Sequence, residues 1–226
     1  MTTTETATER RSRLKERFQR FESPGAVAEF AAGIDERWPY RRQVAQHIVD
    51  QLHAQQRTLA AAPLQVLELC AGPGMLAELI CTALPTARYV GVDFSPPFLA
   101  YARRRLAAYA PRITLLEADL NEDDWSARLA DRGVSSFFHA IVSLQSLHDL
   151  GGEPELARAY TQARALLTPR GLFLNADLIV APGEELADNP GRRAIPRHLE
   201  LLTQAGYTDV QCTLETGGFG CVVGRT

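Results

Sequence analysis

The sequence predicts an α/β fold: a doubly wound, mostly parallel seven-stranded sheet with an antiparallel last strand, preceded by an N-terminal helical cap. Three observations carry this. From Leu64 onward, short apolar runs alternate with helical patterns, and such alternation builds a parallel sheet covered on both faces. Val66-Leu67-Glu68-Leu69-Cys70-Ala71-Gly72-Pro73-Gly74 reads as a buried strand running into a glycine turn, after which Leu76, Leu79, Ile80 and Ala83 share one helical face. Near the C-terminus, apolar segments on either side of Gly217-Gly218 read as a hairpin, which closes the sheet antiparallel.

The elements follow in order. Residues 1–8 are polar and Thr-rich, which predicts a frayed tail. Residues 9–60 form the cap: Leu14, Phe18 and Phe21 mark a first amphipathic helix, Val27, Phe30 and Ala31 a second, and Val44, Ile48, Val49 and Leu52 a third. The main domain spans 61–226. Strands are expected at 64–70, 88–93, 112–118, 137–144 and 171–179, with helices at 75–84, 96–108, 123–131 and 154–167 between them. A Pro-, Gly- and charge-rich connection at 181–196 then leads to a helix at 197–205 and the closing hairpin.

Composition narrows the function. A chain of 226 residues with 46% hydrophobic content suffices for one substantial core. Net charge is −3 and Lys15 is the only lysine, so there is no basic excess of the kind that nucleic acid attracts. Cys70, Cys81, Cys212 and Cys221 lack CxxC spacing, which points away from a zinc knuckle or redox pair and toward a reducing, cytoplasmic setting. No secretory signal pattern and no membrane-length apolar run is present, and no HExxH or clustered His/Asp set calls for a metal.

In an open parallel sheet, ligands bind at the carboxyl ends of the strands. Glu68 and the glycine turn end the first strand, Asp93-Phe94 the second, Asp119-Leu120 the third and Ser143-Leu144-Gln145 the fourth. Gly72-Pro73-Gly74 with Ala77 also satisfies G-x-G-x-x-A, the dinucleotide pattern, so the turn alone does not choose between a dinucleotide and another nucleotide. Glu68 weighs against an anionic pyrophosphate and suits a ligand with cationic character. Asp93 has a plainer reading as a helix-start aspartate before Ser95-Pro96, and Asp119 as a cap of the following helix.

From Leu64 to the C-terminus the residues resemble the class I (Rossmann-like) S-adenosylmethionine-dependent methyltransferases of small-molecule type. Glu68 through Gly74 is similar to that family's first motif, with Cys70 where glycine is usual. The resemblance implies S-adenosyl-L-methionine as cofactor. Glu68, Cys70, Ala71, Gly72 and Gly74 would then form its cradle. Asp93 would bond the ribose hydroxyls, with Phe94 packing on the adenine; Asp119 and Leu120 would hold the adenine edge, and Ser143 and Gln145 would lie along the methionine part. His148 follows in a segment that resembles the family's Leu-His-His-Leu, with Asp149 in place of the second histidine. It is a candidate base, because its ordinary pKa lies near neutrality; packing beneath the cofactor is the alternative.

Asp177, at the end of the fifth strand, is a second catalytic candidate, or else a turn former. The family builds a lid from N-terminal additions. Trp38, Tyr40 and Arg41, with Arg37 and Arg42 beside them, are therefore candidates to enclose an acceptor or bind a carboxylate, the plainer reading being a solvated helix start. His47, His53, His139 and His198 are weaker candidates. The Asn/Asp-Pro-Pro-aromatic segment that many amino-methylating enzymes of DNA, RNA and protein use does not follow the fourth strand, so a small-molecule acceptor is favoured over a nucleic acid, and the lack of a membrane-length apolar run disfavours a membrane partner. An NAD(P)-dependent oxidoreductase and a non-methylating S-adenosylmethionine-binding protein remain the alternatives.

Overall fold

A computed structural model describes residues 9, 12, 16–60, 62–121, 124–134, 137–184, 186 and 189–226. The expected tail at 1–8 and Leu14 of the first expected helix lie outside the described residues; residues 16–19 of that helix are helical. The elements that follow are α1 (Pro24–Arg37), α2 (Arg41–Arg57), β1 (Gln65–Leu69), α3 (Met75–Ala83), β2 (Arg88–Asp93), α4 (Pro96–Arg105) and β3 (Ile113–Glu117). They continue with α5 (Trp125–Ala130), β4 (Phe138–Leu144), α6 (Glu153–Ala165), β5 (Leu167–Leu178), α7 (Ile195–Gln204), β6 (Thr208–Thr216) and β7 (Phe219–Arg225). The sheet order is β3-β2-β1-β4-β5-β7-β6, with β7 antiparallel to both of its neighbours.

The alternation of side chains along each strand sorts the core into two layers. Val66, Tyr89 and Leu174 pack with Ile48 and Leu52 of α2 and Leu76 and Ile80 of α3. Leu67, Leu69 and Phe173 pack on the opposite face with Leu156 and Tyr160 of α6 and Leu202 of α7. A third, aromatic cluster joins Phe21 and Val27 of the cap to Phe98 of α4, with Phe18 and Phe30 against it.

Two boundaries differ from expectation for local reasons. β5 begins at Leu167, four positions before the expected Gly171, because a bulge accommodates Arg170 at φ 62° and shifts the register against β4. α4 stops at Arg105, and a 3-10 segment from Ala107 to Arg112 replaces its expected last turn. Among the described residues no helix is long and apolar enough to cross a membrane.

Candidate functional site

The chain leaves β1 toward β2 and β3, then returns to lay β4 on the other side of β1, so connections diverge from the carboxyl ends of these two strands. A crevice opens at such a reversal. Here it holds a cavity of about 250 Å³, floored by the β1, β2 and β4 ends and roofed by Phe18, Phe21 and Trp38 of the cap.

The turn after β1 is built from left-handed residues: Cys70 at φ 56°, Gly72 at 54° and Gly74 at 80°. Cys70 therefore occupies the conformation that glycine adopts without steric cost, which accounts for glycine being the usual residue there. Gly74 is constrained further, since a Cβ on it would stand 3.0 Å from Leu106 Cδ1 and 3.1 Å from Ala102 Cβ. Asp93 braces this turn from the next strand. Its Oδ2 accepts from the Gly72 amide at 2.7 Å and its Oδ1 from the Ser95 amide at 2.9 Å. The helix start nearby is capped by Ser95, whose Oγ accepts from the Phe98 amide. Burial raises the Asp93 pKa to about 6, against those backbone hydrogen bonds.

Glu68 lies buried beside the turn. The Tyr89 hydroxyl donates to its Oε2 at 2.5 Å, and burial outweighs this bond and the nearby Arg41 to push the carboxyl up to about 8. Arg41 enters from the first turn of α2, where its Nε donates to Gln145 Oε1 at 3.1 Å and its Nη1 stands 3.6 Å from Asp35. Gln145, at φ 58°, ends β4 in a second left-handed turn.

Across the crevice, the 3-10 turn Leu147–Leu150 presents His148. Asp177 holds it twice: the ring Nδ1 lies 2.5 Å from Oδ1, and the His148 amide donates to Oδ2 at 3.0 Å. Nε2 lies 3.5 Å from Asp149, which is itself paired with Arg17 at 3.0 Å. Burial works to lower the His148 pKa, but Asp177 and Asp149 outweigh it and raise it above the ordinary value. This is the arrangement of a base oriented by a buried carboxylate.

The remaining candidates divide by position. Cys70, Ala71, Gly72, Phe94, Asp119, Leu120, Trp38 and Arg41 all line the cavity, as do Glu68, Asp93, Gln145 and His148. Gly74, Ser143, Asp177 and Tyr40 do not. Ser143 is fully buried beneath the floor, and Tyr40, 49% exposed, packs against Gly217. Asp177, 1% exposed, reaches the cavity only through His148. His198, expected merely to start a late helix, is buried against the Tyr160 hydroxyl at 2.7 Å. His47 bonds Thr213, and His139 receives the Gln65 amide. Sequence reasoning did not find Tyr89 as the partner of Glu68. The alternation of β2 carried that signal, because Tyr89 and Gly91 share a face and Gly91 leaves room for the phenol, whose oxygen lies 2.8 Å from where a Gly91 Cβ would stand.

Residues 67–173 match the family model of a methyltransferase domain. This is the class I methyltransferase fold. Demethylmenaquinone methyltransferase of Thermus thermophilus is 44% identical over 61 residues, covering 27% of this chain and 28% of the relative. Trans-aconitate 2-methyltransferase of Yersinia pestis is 32% identical over 153 residues, 65% of this chain and 51% of the relative. The chain thus matches about a quarter to a half of the length of these relatives. Human N-acetylserotonin methyltransferase superposes with a TM-score of 0.63 at 16% identity, over 92% of this chain and 58% of that one. The [4+2]-cyclase SpnF superposes with 0.61 at 15% identity, over 80% of each chain. At such identities the methyltransferase fold is what is shared, and a fold does not by itself decide the reaction.

Proposed function

We propose that the protein binds S-adenosyl-L-methionine in the crevice and directs its methyl group to a small acceptor that loses a proton to His148. The observation that carries this reading is the pairing of two buried carboxylates, Glu68 and Asp93, around a glycine turn, with the His148–Asp177 dyad facing them across one cavity.

The residues fit that cofactor better than a dinucleotide. Burial raises the pKa of both Glu68 and Asp93, so these carboxyls offer a pyrophosphate no attraction, whereas an ammonium would restore Glu68 to its charged form. Asp93 accepts backbone amides on both oxygens, and the capacity that remains suits a ribose hydroxyl. Asp119, Leu120 and Phe94 stand at the neighbouring strand ends, where an adenine would follow. Arg41, expected on the acceptor side, sits between Gln145 and Glu68 and is placed to receive the carboxylate of the amino-acid part.

When bound, the cofactor supplies a methyl group on a sulfonium whose sulfur keeps the bonding electron pair as it leaves. The protein's own part is alignment and proton removal. Asp177 fixes the His148 ring with Nδ1 toward itself, leaving Nε2 to take the proton of an acceptor hydroxyl or amine. The aromatic roof excludes water.

Titration calorimetry with S-adenosylmethionine and, separately, NADH decides the ligand: heat with the first and none with the second is expected, and the reverse would establish the oxidoreductase. Transfer of tritiated methyl into a small-molecule extract then tests the reaction. Tight cofactor binding with no transfer to any component would favour the non-methylating reading.

A further inference from the structure

Three arginines at the cavity mouth have no part in the cofactor assignment. Arg20 follows the first helical stretch, Arg37 is the last residue of α1, and Arg192 belongs to the β5–α7 connection; all three line the cavity. Arg20 is close enough to Arg17 and Arg37 for their charges to add to burial in lowering its pKa. Arg192 is close enough to His148 to oppose protonation of the ring, and its guanidinium lies 6.0 Å from the Trp38 ring centroid. Among the described residues none of the three pairs with a carboxylate, in contrast to Arg17, Arg41 and Arg42, which do.

Exposed arginines at a helix end are ordinary, and Arg37 by itself could simply complement the end of α1. Arg192 is different. Its Nε is buried with no hydrogen-bond partner, and a desolvated guanidinium N–H without an acceptor is costly. Its position between Trp38 and His148 means that an acceptor able to reach Nε2 also passes the guanidinium.

We infer that the acceptor carries an oxyanion, carboxylate or phosphate, bound by Arg192 and Arg37 at the mouth, with Trp38 against a flat portion of the molecule and the methylated group at His148. The guanidinium fork matches either oxyanion in a bidentate manner. Glu68 and Asp93 thus meet the cationic parts of the cofactor, while Arg192 and Arg37 meet the anionic group of the acceptor. Arg20 adds long-range attraction.

The identification of His148 as the reacting end rests on the methyl-transfer reading; the oxyanion site does not, and the test separates them. The probes are para-hydroxybenzoate, para-hydroxybenzamide, para-hydroxyphenyl phosphate and citrate, titrated calorimetrically into the protein with and without S-adenosylhomocysteine. At least one anion is expected to bind roughly tenfold or more tightly than the neutral amide. Whether carboxylate or phosphate binds better assigns the source of the oxyanion. Arg192→Gln and Arg37→Gln should each reduce that preference while leaving nucleotide affinity unchanged, and Arg192→Lys should restore part of it. Because Arg37 is exposed, its variant serves even where Arg192→Gln does not fold. No preference for any anion over the amide, or a preference surviving in both glutamine variants, overturns the inference. Failure of S-adenosylhomocysteine to bind, with the anion preference intact, removes the methyl-transfer reading and upholds the oxyanion site.

Discussion

Asp177 presents no face to the cavity, yet both its oxygens are engaged with His148, one at the ring and one at the backbone amide, while Oδ1 also accepts from the Leu178 amide. In the proposed reaction it is a positioning residue. In Asp177→Asn the ring loses the charge that raises its pKa, so the rising limb of the kcat/KM pH profile, expected above 6.5 in the native protein, should move toward acid. The plateau should fall by about 10²–10⁴ with cofactor affinity retained, the usual span of a base contribution. Steady-state rates across pH would check this, and an unshifted limb would count against His148 as the base. At Asp93 the expectation concerns binding: Asp93→Ala should weaken the cofactor by about tenfold or more in calorimetry, at 1.5–3 kcal/mol per charged hydrogen bond. At this scale much of the site was legible, because chemistry placed at strand ends converges by topology. What sequence missed depends on depth. Ser143 and Gln145 are two positions apart, yet one lies beneath the floor and the other at its edge. Tyr40 was drawn in by its neighbours and instead packs outside on Gly217.

The glycine turn and the cap are each units whose stability belongs to the whole element. Gly74→Ala combines a left-handed backbone with a Cβ pressed onto Leu106 and Ala102, and both terms oppose folding, so a loss of about 2–3 kcal/mol in urea unfolding is expected. Cys70→Gly in the same turn should be nearly neutral or stabilising by up to about 1 kcal/mol, since it relieves the backbone while adding chain entropy. In the cap, Phe21 contacts Phe98 and Phe30 at 5.1 and 4.8 Å, and Phe18 meets Phe94 edge-on at 5.1 Å. Order and type of the core elements were readable because period-2 and period-3.6 apolar patterns alternate cleanly. The start of β5 was not, because a bulge leaves no periodic trace until Gly171. The roofing role of Phe18 and Phe21 was not either, since apolar residues on a helix do not announce which surface they meet.

Over the whole molecule, burial of ionisable groups couples stability to pH. Glu68, raised to about 8, and His148, also raised, contribute stability that is complete below their unfolded pKa values and is lost as pH climbs through the folded ones. His198, depressed to about 4, has the opposite sign, but its contribution is already complete above pH 6.5. Between 6.5 and 8 the terms therefore no longer cancel, and the ligand-free protein should lose about 2 kcal/mol across that window, read as a falling Tm. Saturating S-adenosylmethionine should flatten the slope, because an ammonium beside Glu68 favours the ionised carboxyl and removes its difference from the unfolded chain. A Tm independent of pH in the free protein would contradict the burial of these groups.

The described residues of the connection between β5 and α7 are irregular, and such stretches ordinarily accept change freely. Here Gly191 lies so close to the His148 carbonyl that a Cβ would collide with it, while its neighbour Arg192 faces the mouth. Adjacent positions thus carry opposite tolerances. Divergence of this scaffold toward new acceptors, natural or in the laboratory, has an open route at 192 and a closed one at 191, and a mutant library built across the connection should recover variety at the first and glycine alone at the second.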